Sequence, residues 1–428
     1  MYQIKWIVKR FGFLRRIVLE FKDKLIYQKS SQFLLHSWNA HQTPFKPILF
    51  YNFFGRFLWA MKEMIFKNSL KLEGYETTAK DLANAYQHGS HNVLWPQSPL
   101  VQFENYALDD DYCKKIEDSL IHAYKLEEKS FDKTKEWNRI ATVIKSHFFD
   151  KDGALIKDNL INFRKDPKRY QELFNDQFNY LDVRESYTKS YLKSIDLILE
   201  YHRLAKKVDK TLLASVSESD AGNNFCVQYR GKRVSEKSLF HSIVVNDLIK
   251  VIPFTPKQRS VVLDIGCGYG GLSRILHYYT PNSCHILLDL PETLIMTSYF
   301  IKYNFPEAKI GLLDEIVDDL NNFDFFVQEY DFIIISPSVL TSLKSESVDL
   351  VINTASLGFM QKEYLEFYLD QIDRVLKEGG YFYSLNKEYN DHWGIGFYKW
   401  DFKASYLTRL FEYNNRFSYA QWLGQKVK

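Results

Sequence analysis

No stretch of 18 or more uncharged apolar residues occurs anywhere in the chain, so no segment has the composition of a bilayer-crossing helix. Near the start, charges interleave with apolar residues and leave no clean apolar core, and no cleavable signal peptide is expected. Cysteine is scarce. The four, Cys113, Cys226, Cys267 and Cys284, are far apart and form no C-x-x-C pair, which excludes a zinc ribbon and a disulfide framework. The expectation is a protein of the reducing cytoplasm with no metal site. The formal net charge is only +3, too small for a general nucleic-acid binder, so no nucleic-acid partner is expected. Glycine is sparse too, at 18 residues in 428, and a cluster of it therefore carries meaning.

That cluster is Gly266, Gly268, Gly270 and Gly271. Val261-Val-Leu263 before it is a short apolar run, the pattern of a strand buried on both faces. Leu272, Ile275, Leu276 and Tyr279 after it repeat at helical spacing, and Pro281 follows the helix end. Strand, glycine turn and helix in this order let the backbone approach a ligand closely and present free helix N–H groups to it. Two cofactors use such a turn. Gly266, Gly268 and Gly271 satisfy the dinucleotide spacing G-x-G-x-x-G. Read from Asp264, Gly266, Gly268 and Gly270 give D-x-G-x-G-x-G. An acid at Asp264 suits the ammonium of S-adenosylmethionine better than a pyrophosphate. Asp289, at the end of the next strand, 284–290, can accept both ribose hydroxyls of either cofactor.

Strands and helices then alternate. Helices are predicted over 291–303 and 362–377, the latter closed by Glu378-Gly-Gly380. Strands are predicted over 331–335, 348–353 and 381–385. The pattern is that of an α/β protein with a Rossmann-like, doubly wound, mostly parallel sheet. Ligands of such sheets bind beyond the carboxyl ends of the strands. Asp264 to Gly270, Asp289, Ser336 to Ser338, Asn353 and Asn386-Lys387 all fall there.

Before this domain, assigned to 215–428, the chain is largely helical. Residues 71–214 read as a helical domain and 1–70 as a basic, aromatic-rich helical segment. Within the latter, residues 1–30 form an amphipathic pattern. Lys5, Lys9, Arg10, Arg15, Arg16, Lys22, Lys24 and Lys29 stand against Glu20 and Asp23 alone. Such a face suits peripheral contact with the anionic inner face of a membrane, or a packing helix with a solvated basic side. The aromatic-rich stretch 48–61 is expected to be a buried helix. The polar, glycine-containing stretch 215–232 reads as a linker or lid. Its basic cluster Tyr229-Arg-Gly-Lys-Arg233 suits either an anionic acceptor or a solvated loop.

Val262-Leu-Asp-Ile-Gly-Cys-Gly-Tyr-Gly-Gly271, Asp289-Leu-Pro-Glu292 and Asn353-Thr-Ala-Ser-Leu-Gly358 resemble class I S-adenosylmethionine-dependent methyltransferases. More narrowly they resemble the sugar O-methyltransferases of bacterial surface-polysaccharide clusters. The resemblance covers roughly residues 215–425. It implies that Asp264, Gly266, Gly268 and Gly270 hold the methionine part of the cofactor and Asp289 the ribose. Cys267 is grouped with them as a small residue that fits the turn. Leu290 would pack on the adenine, with Ser336 to Ser338, and Ser338 in particular, at its edge. Asn353 would lie near the methionine carboxylate or the acceptor. The family commonly carries an acid after Ser-Leu-Gly, where this chain has Phe359.

The implied activity is methyl transfer to a sugar hydroxyl of a surface glycan or its precursor, which makes a carbohydrate the expected partner. The hydroxyl must lose a proton, and His392, Lys387, Asp391 and His241 are the candidate bases. Trp393 beside His392 can stack on a sugar ring. Glu388, Asp391 and His392 lack a diagnostic metal spacing. Two other readings stand beside this one: an NAD-dependent oxidoreductase or epimerase on the same sheet, and a non-catalytic glycan-binding module.

Overall fold

The computed structural model describes residues 109–127, 135–164, 208, 212, 217–223, 227–229, 232–255, 257–317, 322–387, 395–414 and 419–427. The expected helix over 1–30, the segment 48–61 and the loop carrying Asp391, His392 and Trp393 lie outside these residues. The chain divides into two compact units, described separately. The larger contains residues 71–352 and 374–381; the smaller contains 1–70, 353–373 and 382–428.

The described part of the larger unit opens with helices α1 (Asp110–Glu127), α2 (Lys135–Phe148) and the single turn α3 (Lys157–Ile161). A short antiparallel hairpin follows, β1 (Val227–Tyr229) and β2 (Lys232–Val234), and then helix α4 (Glu236–Val251). Ser235 caps α4 by accepting a 3.0 Å bond from the Ser238 amide, and its own amide donates to Ser238 Oγ at 3.1 Å.

The sheet proper begins with β3 (Ser260–Ile265), followed by α5 (Gly271–Tyr279), β4 (Ser283–Leu288) and α6 (Pro291–Asn304). Next come the two-residue β5 (Ile310–Gly311), α7 (Leu313–Ile316), α8 (Phe323–Glu329) and β6 (Phe332–Ile335). A 3₁₀ turn, Pro337–Ser342, leads to β7 (Val348–Thr354), and α9 (Lys362–Val375) leads to β8 (Leu376–Lys387). In this unit the strand order is β5-β6-β4-β3-β7-β8. β3 pairs with β4, β4 with β6 and β5 with β6, all parallel. Every residue of β4 and β6 is buried, as expected of parallel strands covered on both faces.

α6 is buried over all of Pro291–Ile301 rather than along one stripe. The reason lies upstream. Cys113, Ile116 and Leu120 of α1 and Ile144 and Phe148 of α2 share one apolar core with Ile295, Met296, Tyr299 and Phe300 of α6. A helix buried all round needs such a second cover.

In the smaller unit the ends of β7 and β8 continue to β10 (Tyr419–Lys426) and the edge strand β9 (Tyr406–Asn414), which pair antiparallel. An aromatic group holds this pair, with Phe402 stacked on Trp422 at 5.2 Å and Phe382 edge-on to the same indole at 5.7 Å. The predicted strands and the helices at 272–279 and 291–303 are observed within a few residues of their expected ends. One boundary differs. The helix expected to reach 377 stops at Val375, and the strand already takes Leu376 through Gly380, with Gly379 at φ 77°.

Candidate cofactor site

Three of the clustered glycines are there for their backbone angles. Gly266, Gly268 and Gly270 take φ of 71°, 57° and 85°, a region that side chains disfavour. The turn is pinned to the next strand, because the Gly266 amide donates to the Leu288 carbonyl at 2.8 Å. It is pinned from α6 as well, where Thr297 Oγ1 donates to the Gly268 carbonyl at 2.6 Å. Gly270 then caps α5 in the left-handed conformation, which directs the first amides of that helix outward.

The two acids sit at adjacent strands. Asp289 Oδ2 accepts from the Gly268 amide at 2.7 Å and Oδ1 accepts from the Leu290 amide at 2.7 Å. Thr293 adds a side-chain bond. Burial raises its carboxyl to about 6 against the lowering effect of these bonds. Asp289 nevertheless keeps part of its surface open. Asp264, the fifth residue of β3, is almost wholly buried. Its Oδ2 accepts from Ser273 Oγ at 2.8 Å, whereas its buried Oδ1 has no hydrogen-bond partner. Burial, opposed by the Ser273 bond and reinforced by the charge of Asp289, raises its carboxyl to about 7. An orphaned acidic acceptor beside a backbone built for close approach calls for a ligand that brings a cationic donor.

The methyltransferase-domain family matches residues 263–384, from the glycine turn to the last part of β8. The chain carries a class I S-adenosylmethionine-dependent methyltransferase domain. Its cofactor is S-adenosylmethionine, which sets aside the dinucleotide reading of the same glycines. No relative is found among curated proteins. Among solved structures, a protein of Pyrococcus horikoshii is 14% identical over 44% of this chain and 90% of its own, with a TM-score of 0.28. One from Galdieria sulphuraria, assigned as a sarcosine dimethylglycine methyltransferase, is 18% identical over 35% of this chain and 47% of its own, with a TM-score of 0.25. One from Methanococcus maripaludis, assigned as an S-adenosylmethionine-dependent methyltransferase, is 19% identical over 34% of this chain and 54% of its own, with a TM-score of 0.23. This chain thus spans about half the length of the latter two.

For the methyltransferase domain the fit is chemical. The ammonium of the methionine moiety can supply the donor that Asp264 Oδ1 lacks. Asp289 keeps lone pairs for ribose hydroxyls beyond its two backbone bonds. Leu290 is the residue preceding α6 and is partly exposed. Ser338 lies in the turn after β6, its hydroxyl 2.6 Å from that of the buried Ser336. Cys267 is buried within the turn, its thiol pushed up by burial and 4.0 Å from Thr297 Oγ1.

In the smaller unit, Asn353 and Asn386 are both fully buried and bonded to each other, with Asn386 Nδ2 donating to Asn353 Oδ1 at 2.8 Å. Asn353 also takes the Leu357 amide at 3.2 Å and donates to Ser356 Oγ. Asn386 Oδ1 takes the Gly358 amide at 3.0 Å. Together they fix the 355–359 turn, in which Ala355 has φ 58°. Lys387 is half-buried with its amine over the Phe359 ring at 5.6 Å, and burial lowers its pKa.

His241 is buried on α4, and a Cβ at Gly271 would come within 2.8 Å of its ring. Burial lowers its pKa to about 3, so it is a neutral packing residue at ordinary pH. Ser273, Thr293 and Thr297, which the motifs do not single out, support the acids and the turn. The sequence signal for Thr293 and Thr297 is two threonines one helical turn apart on one face of this helix.

Proposed function

We propose that this methyltransferase methylates a sugar hydroxyl of a bacterial surface glycan or of its precursor. The observation that carries the reading is the pair at the end of β8. Where related sequences commonly place an acid, this chain has Phe359, and the Lys387 amine lies over its ring with a lowered pKa. Burial lowers the pKa of this lysine, and in its neutral form it can accept a hydroxyl proton. The sugar as acceptor draws on the motif resemblance and on Asn390, Asp391 and Trp393, which offer hydroxyl partners and a ring face within one loop.

When bound, the cofactor supplies a methyl group already activated at sulfur. The chemistry it would supply is displacement at that carbon by the acceptor oxygen, with sulfur keeping the electron pair of the bond that breaks. The hydroxyl proton passes to Lys387 or to His392. Asn353 holds the turn that carries Phe359 and so sets the ring under the amine. Residues 1–30 bring the enzyme to the anionic inner face of the membrane, where glycan precursors are assembled on lipid. Among the described residues no helix is long and apolar enough to cross a membrane.

The test is transfer of a radiolabelled methyl group from S-adenosylmethionine to cell-envelope extracts. Label in glycan or in a glycan precursor is expected. Label confined to protein, nucleic acid or acyl chains overturns the acceptor assignment.

A further inference from the structure

We propose that Arg164 is a positioning residue for the cofactor's glycine turn, acting through Tyr269 and the 217–222 segment. The inference depends on the cofactor and not on which acceptor is methylated. Residues 215–232 read in sequence as a polar linker or lid. In the structure Glu218, Ser219, Ala221 and Gly222 are buried, and Arg164 is what they are built around.

Arg164 is itself 1% exposed. Its Nε donates to the Ala221 carbonyl at 2.9 Å, Nη2 to the Ser219 carbonyl at 2.9 Å, and Nη1 to Glu218 Oε1 at 3.1 Å. Its amide donates to the Gly222 carbonyl at 2.7 Å. The second oxygen of Glu218 takes the hydroxyl of Ser235, the cap of α4. Arg233 of the hairpin pairs with Asp220 in the same segment.

The other face of the guanidinium lies over aromatic rings, 4.9 Å from the centroid of Tyr269 and 5.1 Å from that of Phe300. Tyr269 stands between Gly268 and Gly270, inside the turn that receives the cofactor. Two further contacts tie the segments to that turn. Arg274 of α5 donates to the Ser217 carbonyl at 2.9 Å, and the His241 ring lies against Gly271. A buried ion pair is a poor device for stability, since removing two charges from water offsets most of their attraction. It is a good device for fixing a geometry, because the planar fork admits one arrangement of its acceptors.

Arg164→Lys keeps the charge and removes both the fork and the stack. It is expected to weaken S-adenosylhomocysteine binding by roughly 2- to 30-fold in calorimetry. Tyr269→Leu is also expected to weaken it, and the double variant to lose less than the two singles together, because both remove the Arg164–Tyr269 contact. Far-UV circular dichroism and melting curves report folding separately. If Arg164→Lys melts earlier but binds like the wild type, the residue is merely structural and the proposal fails. Additive losses in the double variant also overturn it. Should Arg164→Lys fail to fold, Tyr269→Phe, which retains the ring, must bind severalfold more tightly than Tyr269→Leu, and equal affinity overturns the proposal.

Discussion

Ser273 Oγ donates to one oxygen of Asp264 at 2.8 Å, while the other oxygen of that carboxyl is buried without a donor. This half-satisfied acid makes the site sensitive to pH. Its carboxyl is raised to about 7, so the folded, ligand-free protein holds a proton that the unfolded chain releases near the ordinary carboxylate range. The stability contributed by this group therefore falls as pH rises from about 4 to about 7 and then levels off. Cofactor affinity runs the other way, because the cation prefers the carboxylate. Affinity should rise by up to about tenfold per pH unit below 7 and flatten above it. Calorimetry near pH 6 in buffers of different ionisation enthalpy should register proton release on binding. Asp264→Asn should diminish this release, leaving only the part due to Asp289, and undiminished release there would contradict the assignment.

Gly271 has no room for a methyl group. A Cβ there would lie 2.7 Å from the Tyr269 ring and 2.8 Å from His241 Cε1. Alanine in a helix ordinarily gains about 0.5–1 kcal/mol over glycine. Here crowding should cost about 1–3 kcal/mol and reverse the sign. Gly271→Ala should lower the denaturant midpoint; a higher midpoint would show that the two rings yield freely.

Lys387→Met should lower kcat by roughly 10²–10⁴-fold when the lysine is the base. Wild-type kcat should then climb with pH through the lowered pKa of the amine and level off, since only the neutral amine accepts a proton. If His392 is the base, Lys387→Met stays active and His392→Ala does not.

A chain lacking residues 1–30 should lose flotation with vesicles of anionic lipid, and the full chain should release from them at high salt. The eight basic residues named above contribute about 1 kcal/mol each near such a surface. Equal flotation of the two chains would contradict membrane contact.

Much of the sheet was legible because each piece is local. Val261 to Leu263, the glycines and the helix after them declare themselves within about twenty residues, and Asp289 follows the apolar run Ile286 to Leu288. What escaped depends on distance or on shortness. Glu218 and Ser219 look like linker residues until Arg164, more than fifty residues earlier, supplies their partner. β5 is two residues long, too short for any periodicity. β9 alternates exposed Leu407 and Arg409 with more covered neighbours, a period-two signal of an edge strand. Asn353 is legible as a strand-end polar residue, but its bond to Asn386 depends on two strands meeting and no spacing reveals it.

The most direct measurement is calorimetric titration of the purified chain with S-adenosylhomocysteine and, separately, NAD. Binding of the first alone is expected. Asp289→Ala should weaken it by about 1.5–3 kcal/mol, because the residue removed both anchors the Gly268 amide and receives the ribose. Binding of NAD instead, or an Asp289→Ala variant that binds S-adenosylhomocysteine as tightly as the wild type, would contradict the account of this site.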